Sequence, residues 1–597
     1  MTDRARSFSR GFSFRGLSAA VLALASLGVV AQNPAQALET RMNPWGYHPM
    51  APKRLVLEGV APQSKLKFSL YDPNRPGITP LTRGRVVYRF NNIEKSPDNS
   101  LQGPAAERWA LDFSDFRQSG DLQLKIEGLG KDAPPLTLLL RVSEFVYWDA
   151  MVPVIRAFYL QRSGVELDDE VTGLAHGLSH AEDALVESPE THARYQKDVT
   201  GGWYDGSDYN KYVTPTGLAI GRLLSLYDSS PSIFNTLKLS YPLTEEGLGD
   251  LPDFLHEMRW GLDWIMAMQR KDGAFFRKVA GREKVSKGPP DDDTQERFAF
   301  GATSQDTAVG AATLAMASRA YRRKEMGYAI KCLLAAEEGW RYLAAHGMTL
   351  EVSPDDATGS REYLNPDGDG VYRFWAATEL ALATGKPVYR QYLLAHYRQI
   401  PVASFSWRNP AMLAITDYLA RNPQDDPISA WFRPRVIQAA DALLSESRRA
   451  RANNPLATSV TRFEDGASAQ LSEQAATLLA AYRLTRDPAY LTAAVGNVDF
   501  LLGLNPLSQT FVSGLGARAV QHPCHPWMKT AKATMPGLVV AGPNAADRDG
   551  KTPADSGALS YRDDVDACDS NAPSLLYNAS FAYILGALNL EFAPAAK

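Results

Sequence analysis

Asp198-Val199-Thr200-Gly201-Gly202-Trp203-Tyr204-Asp205-Gly206-Ser207-Asp208-Tyr209-Asn210-Lys211-Tyr212 is the stretch around which this 597-residue chain organises. It places two carboxylates, Asp205 and Asp208, three residues apart among glycines and aromatic side chains. Glycine bends a chain tightly because it enters positive φ without steric cost. From Tyr209 to about Asp228 the apolar residues take a helical period, so the two carboxylates stand in a turn at a helix start. Such a turn has two readings. Asp ahead of a helix commonly caps free backbone N–H groups. Two carboxylates in a rigid aromatic setting can also hold a water and remove its proton, which is general-base chemistry.

Working outward, the helical period recurs near 147–163, 209–228, 252–270, 305–323, 326–345 and 371–385, then near 388–399, 409–421, 430–450, 466–485, 487–502 and 573–590. Twelve such segments imply paired helices that close into a toroid. The intervals 272–304, 346–370 and 503–572 are too long for mere connectors and are expected to frame a cleft at one mouth. Upstream, residues 41 to about 143 read as strands. Leu66, Phe68 and Leu70 alternate, as do Leu122, Leu124 and Ile126, and a further apolar run spans Leu136 to Leu140. Gly, Pro, Asn and Asp clusters divide them, as in a β-sandwich.

The first 37 residues read as a sorting signal. Arg4, Arg6, Arg10 and Arg15 precede an apolar run from Leu17 to Ala31, and Ala35-Gln36-Ala37 offers small residues for cleavage. The run is shorter than the ~20 residues that span a bilayer. Three domains are therefore expected: a signal peptide at 1–37, a β-sandwich at 38–143 and a helical barrel at 144–597. The mature protein is expected to be soluble, in a bacterial periplasm or secreted, with no membrane contact after the signal is removed.

Composition narrows the partners. The chain is 45% hydrophobic and 22% charged with a formal net charge of −4, which lacks the basic excess that nucleic-acid phosphates demand. The 11 Trp, 25 Tyr and 23 Phe exceed what most cores need, although the majority of such rings are core. Three cysteines make neither a disulfide scaffold nor a zinc site, and Cys332 in a helical pattern is expected to be buried. His176 and His180, four apart, lack a third ligand at metal spacing, and Asp291, Asp292 and Asp293 read by default as a solvated charge run, so neither a metal nor a cofactor is expected. Trp260 and Trp264, also four apart, are expected in the core.

The opening string closely resembles GGWYDAGDYxKY, a segment of glycoside hydrolase family 9, the inverting cellulases. Further segments agree: Leu251-Pro252-Asp253-Phe254, Arg259 to Trp264, Phe374-Trp375-Ala376-Ala377, Leu501 to Pro506, Phe511 to Gly516 and Pro536 to Asn544. Asn43-Pro44-Trp45-Gly46-Tyr47 and Leu111 to Phe116 resemble the immunoglobulin-like domain that precedes many family 9 catalytic domains. The resemblance implies an (α/α)6 barrel after an immunoglobulin-like β-sandwich, inverting hydrolysis of a β-linked glucan or related oligo- or polysaccharide, and no cofactor. It assigns Asp208 as the base and Asp205 as its partner in holding the water. It places Trp375, His525 and Tyr577 around the sugar, with Trp203 and Tyr209 flanking the carboxylates, and Trp527, new relative to the family pattern, is a further candidate sugar contact.

Two departures stand out. The family carries its proton-donating Glu in a DDxxxxxxNExxxxxNA context, and the ungapped match from Asp563 to Ala579 puts Ala572 in its place. Where the family reads Pro-His-His-Arg, with His and Arg on the sugar, this chain reads Pro523-Cys524-His525-Pro526 followed by Trp527. Asp569 is the nearest replacement acid by sequence, with helix capping as its alternative, and His525 is another candidate donor. Cys524 and Cys568 both fall in loops that frame the family's site, so a disulfide between them is expected, with two free thiols as the alternative. Without its acid the protein is expected either to cleave weakly or to bind glycan without cleaving it.

Overall fold

A computed structural model describes residues 39–593 except 60–65, 77–82, 97–106, 129–134, 188–193, 242–250, 352–361, 423 and 554–555. The expected signal peptide lies outside the described residues.

Eight strands come first. Glu39–Arg41 (β1), Arg54–Gly59 (β2), Glu107–Asp112 (β6) and Asn92–Ser96 (β5) form one four-stranded sheet in the order β1-β2-β6-β5. Lys67–Pro76 (β3), Arg83–Arg89 (β4), Gly120–Glu127 (β7) and Leu136–Val142 (β8) form the second, in the order β4-β3-β7-β8. The period-two alternation is what builds the layer between them. Phe68 pairs with Ile126 and Leu70 with Leu124 across β3 and β7, and all four join Leu55, Leu57, Leu111 and Phe113 in one core.

Among the described residues, twelve helices have ten residues or more. They are α1 (Val146–Tyr159), α2 (Val213–Ser229), α3 (Asp253–Ala267), α4 (Ser304–Tyr321), α5 (Met326–Ala345) and α6 (Gly370–Thr384). After them come α7 (Pro387–His396), α8 (Ala411–Arg421), α9 (Pro427–Asn453), α10 (Ala467–Thr485), α11 (Pro488–Leu501) and α12 (Leu575–Phe592). Even-numbered helices are the inner ones. In α2 every residue from Val213 to Tyr227 is buried, and in α4 only Arg319 escapes full burial. Outer helices bury a stripe: α9 hides Ile428, Phe432, Val436, Ala440 and Leu444 at helical spacing. Inner helices pack α2 on α4, α4 on α6, α6 on α8, α10 on α12 and α12 back on α2, with α9 joining α8 to α10. This alternation of six inner and six outer helices is the (α/α)6 barrel.

Sandwich and barrel share a seam. Asn43 donates to Asp499 at 3.0 Å, Trp45 donates its indole N–H to the carbonyl of Val146 at 3.0 Å, and His48 stacks on Phe592 with ring centroids 4.7 Å apart. At one mouth of the barrel lies a further five-stranded sheet containing Phe275–Gly281 and Arg297–Thr303 from the long 272–304 interval. Its edge strand is Lys211–Tyr212, the end of the carboxylate turn.

Candidate active site

The turn is rigid because charge is buried beneath it. Lys211 stands 2.8 Å from Asp183, and Arg297 reaches the same carboxylate at 2.8 Å while donating to the carbonyl of Tyr209 at 2.8 Å. Burial pulls the Lys211 ammonium down to about 8 against the opposing attraction of Asp183. Gly201, Gly202 and Gly206 all take positive φ. At Gly206, φ is +122° and an added Cβ would stand 3.0 Å from the Pro573 carbonyl, so this bend accepts glycine and little else. The Gly-Ser order between the carboxylates is therefore matched to the segment that follows position 572.

Asp205 and Asp208 are each 5% exposed. Asp205 accepts from the Tyr363 hydroxyl at 2.5 Å and the Ser574 hydroxyl at 3.1 Å, and its backbone carbonyl accepts Leu575 N–H at 2.9 Å. Burial, joined by the neighbouring charge of Asp208, pushes its carboxyl up to about 7 despite the hydrogen bond from Tyr363. Asp208 accepts from the Asn210 backbone N–H at 2.9 Å and the Asn210 side-chain amide at 3.3 Å, and Lys284 Nζ lies 3.7 Å from its Oδ2. Burial raises its carboxyl as well, with Lys284 the strongest opposing influence. Two carboxyls in one turn thus sit in different company, and such pairs divide proton-transfer roles.

The expected sugar-facing aromatics are distributed differently from their sequence neighbourhood. Trp203 is fully buried, its indole N–H bonded to Glu257 at 2.8 Å and its ring edge-on to Phe158. Trp375 is also fully buried. Its ring lies in the barrel wall against Gly221 of α2, where a Cβ would come within 2.6 Å, so it offers no face to a ligand. Tyr209 is buried and donates to the Gly288 carbonyl at 2.5 Å. Trp527 is buried with its ring edge-on to His176 at 5.2 Å. Tyr577 is half-buried, and the charge of Asp205 adds to burial in raising its phenol. Trp264 is core, while Trp260 is half-buried and donates to the Gly202 carbonyl at 2.9 Å.

His525 is 2% exposed, and burial pulls its ring down to about 3, which disfavours the imidazolium. Its Nδ1 accepts from Trp527 N–H at 3.2 Å. Asp569 is committed elsewhere: its carboxylate accepts the backbone N–H groups of Arg548 and Asp549, tying down that turn rather than facing Asp205. Ala572 is half-exposed, two residues from the Ser574 that holds Asp205, and its carbonyl accepts Ala541 N–H at 2.9 Å. Cys524 and Cys568 stand at disulfide distance with Cα atoms 5.2 Å apart, and Cys524 N–H donates to the Asn571 carbonyl at 2.9 Å. Cys332 is buried. His180 bonds to Tyr204 at 2.6 Å and to Asp293 at 3.2 Å, and Gly177 N–H donates to Asp291 at 3.0 Å, so His180 and the Asp run staple loops together, while His176 meets Trp527 edge-on.

Sequence reasoning missed Tyr363, Ser574, Glu362, Lys284 and Trp407. Tyr363 packs edge-on to the half-buried Trp407 with centroids 5.8 Å apart. The signals for them were positional: Lys284 falls in the long 272–304 interval, Glu362 and Tyr363 fall in the long 346–370 interval, and Ser574 follows directly on Ala572 and Pro573.

A helical barrel with a carboxylate pair at one mouth is an architecture found in one class of glycosidase folds. Within that class the chain belongs to glycosyl hydrolase family 9, whose family model matches residues 147–585. The xyloglucan-specific endo-beta-1,4-glucanase of Bacteroides ovatus is 29% identical over 508 residues, covering 81% of this chain and 84% of that protein. Endoglucanase D of Acetivibrio thermocellus is 26% identical over 491 residues, covering 80% of this chain and 74% of its own. The crystal structure of a metagenome-derived glycoside hydrolase family 9 endoglucanase superposes with a TM-score of 0.80 at 32% identity, covering 93% of this chain and all of that one.

Proposed function

We propose that this chain is an exported family 9 hydrolase of β-linked glucan or a related oligosaccharide that has kept its base and lost its usual acid. Residues 38–143 serve as an immunoglobulin-like module ahead of the catalytic barrel at 144–597. Asp208 takes the proton of the attacking water, and Asp205 helps to hold that water. The carrying observation is the buried turn itself: two carboxylates 5% exposed, with Asp208 opposed by a lysine ammonium that favours its charged form. Attack from the base side inverts the anomeric carbon. The departing oxygen must then leave without the proton that a Glu would supply, because Ala572 carries only a methyl group. Removing a general acid costs roughly 10²- to 10⁴-fold, most when the leaving group is a basic sugar alkoxide. Substrates with acidic leaving groups escape that cost. The relatives named for endoglucanase and xyloglucanase activity point to β-1,4-linked backbones as the first substrates to try.

A second reading is a glycan-binding protein on a hydrolase fold, favoured by one observation: Ala572 and the altered 523–527 segment change the same rim together. An aryl β-cellobioside with a strongly acidic leaving group separates the two. Proton NMR of the first-formed sugar is expected to show the α-anomer, from single inversion. Absence of turnover with every aryl glycoside, alongside measurable oligosaccharide binding, would select the second reading.

A further inference from the structure

Two loops meet over Asp208. Lys284, from the segment between the strands Phe275–Gly281 and Arg297–Thr303, places Nζ 2.8 Å from Oε1 of Glu362 and 3.7 Å from Oδ2 of Asp208. The other oxygen of Glu362 accepts from the Tyr212 hydroxyl. That hydroxyl accepts from the Asn210 amide at 3.1 Å, and the same amide nitrogen donates to Asp208 at 3.3 Å. A closed polar ring therefore runs Asp208, Lys284, Glu362, Tyr212, Asn210 and back to Asp208. The Lys284 side chain is 52% exposed and that of Glu362 33%. A pair so exposed adds little to stability, so its significance lies in where it stands.

We infer that Lys284 is a positioning residue for the base: set against the opposing charge of Glu362, its ammonium holds the Asp208 carboxylate charged and oriented toward the attacking water. The inference rests on the reading of Asp208 as the base. Neither residue belongs to the motif that marks the turn, and nothing in the spacing of 208, 284 and 362 links them.

The charges around Asp208 support it. Facing the carboxylate are Lys284 and Arg297 as cations, Glu362 and Asp205 as carboxylates, the Tyr212 hydroxyl and the Asn210 amide. Burial raises the Asp208 carboxyl most, Lys284 opposes it most, and Glu362 adds to the rise. Lys284 is itself held above its ordinary range, because the bond to Glu362 and the charge of Asp208 outweigh its partial burial. Lysine and glutamate thus act on the base with opposite signs.

The test compares Lys284→Met, Lys284→Arg and Glu362→Gln in the full chain. Two readouts are used: the pH dependence of kcat/KM on an aryl glycoside with an acidic leaving group, and the ¹³C titration of the Asp208 carboxyl in the free protein. Removing the ammonium leaves burial less opposed, so Lys284→Met is expected to move the acid limb to higher pH and lower kcat/KM at pH 5 by about tenfold. Lys284→Arg is expected to restore the limb. Glu362→Gln removes a negative charge and is expected to move the limb to lower pH. The carboxyl titration is expected to follow the same order. Lys284→Met and Glu362→Gln shifting together, or neither shifting the titration, would overturn the inference. A wild type inert toward every aryl glycoside would defeat the hydrolase reading instead, and the titration would still judge the role of Lys284.

Discussion

Two segments that meet at Asp205 compare differently with the family pattern. On one side stands the turn from Asp198 to Tyr212, with both carboxylates present and a buried Lys211–Asp183–Arg297 network beneath. On the other stand Cys524, Pro526 and Ala572, where the family pattern has His, Arg and Glu. Within the retained segment, Asp205 and Asp208 teach different lessons. Asp205 is tied to distant elements: Tyr363 before α6, Ser574 and Leu575 at the start of α12. Folding alone explains its retention, since losing it leaves buried hydroxyls unpaired. Asp208 accepts two bonds from its neighbour Asn210 and faces a half-exposed lysine. Little in the architecture needs Asp208 charged, so its presence is the better sign of chemistry.

Asp208→Asn breaks the comparison most sharply. It keeps the side-chain shape but cannot accept a proton, so turnover of an activated aryl glycoside is expected to fall about 10²- to 10⁴-fold with an unchanged melting profile. Equal loss from a variant remote from the turn would mean that Asp208 is not the base. Next comes Ala572→Glu, expected to raise hydrolysis of an unactivated oligosaccharide about 10²-fold. The same variant is expected to add a basic limb to the pH profile, because its carboxyl must stay protonated to donate. The wild type, lacking that group, is expected to show the acid limb alone, its activity falling as pH drops through the raised pKa of Asp208. The altered segment has its own test. Mass analysis without reductant is expected to find Cys524 and Cys568 joined, and Cys568→Ser to cost about 2–4 kcal/mol of stability. Finally, Asp205→Ala is expected to cost about 1–3 kcal/mol by calorimetry, through the Tyr363 and Ser574 hydroxyls it leaves unpaired. An unchanged melting profile would cancel the contrast between the two carboxylates.

The helices were legible in the sequence because their signal is local. Each of the twelve periodic segments found its helix, and the reading of 326–345 matches Met326–Ala345 at both ends. The alternation of Phe68 and Leu70 likewise located a strand by a period that neighbouring residues supply. The site was less legible because its contacts are not local. Trp203 flanks the carboxylates in sequence, yet its indole turns away to Glu257, 54 residues on. Trp375 lies inside the barrel wall because Gly221, on another helix, leaves a slot for its ring. His525 keeps the family identity but is buried, which pulls its ring down. Asp569 reads as an available carboxylate until its backbone partners at Arg548 and Asp549 appear.

The proposed active site keeps a base and lacks the usual acid. A series of aryl β-cellobiosides with leaving groups from strongly acidic to weakly acidic phenols measures that directly. The wild type is expected to slow steeply as the leaving group becomes more basic, and Ala572→Glu to flatten the slope. A flat dependence in the wild type would reveal a proton donor that this account denies.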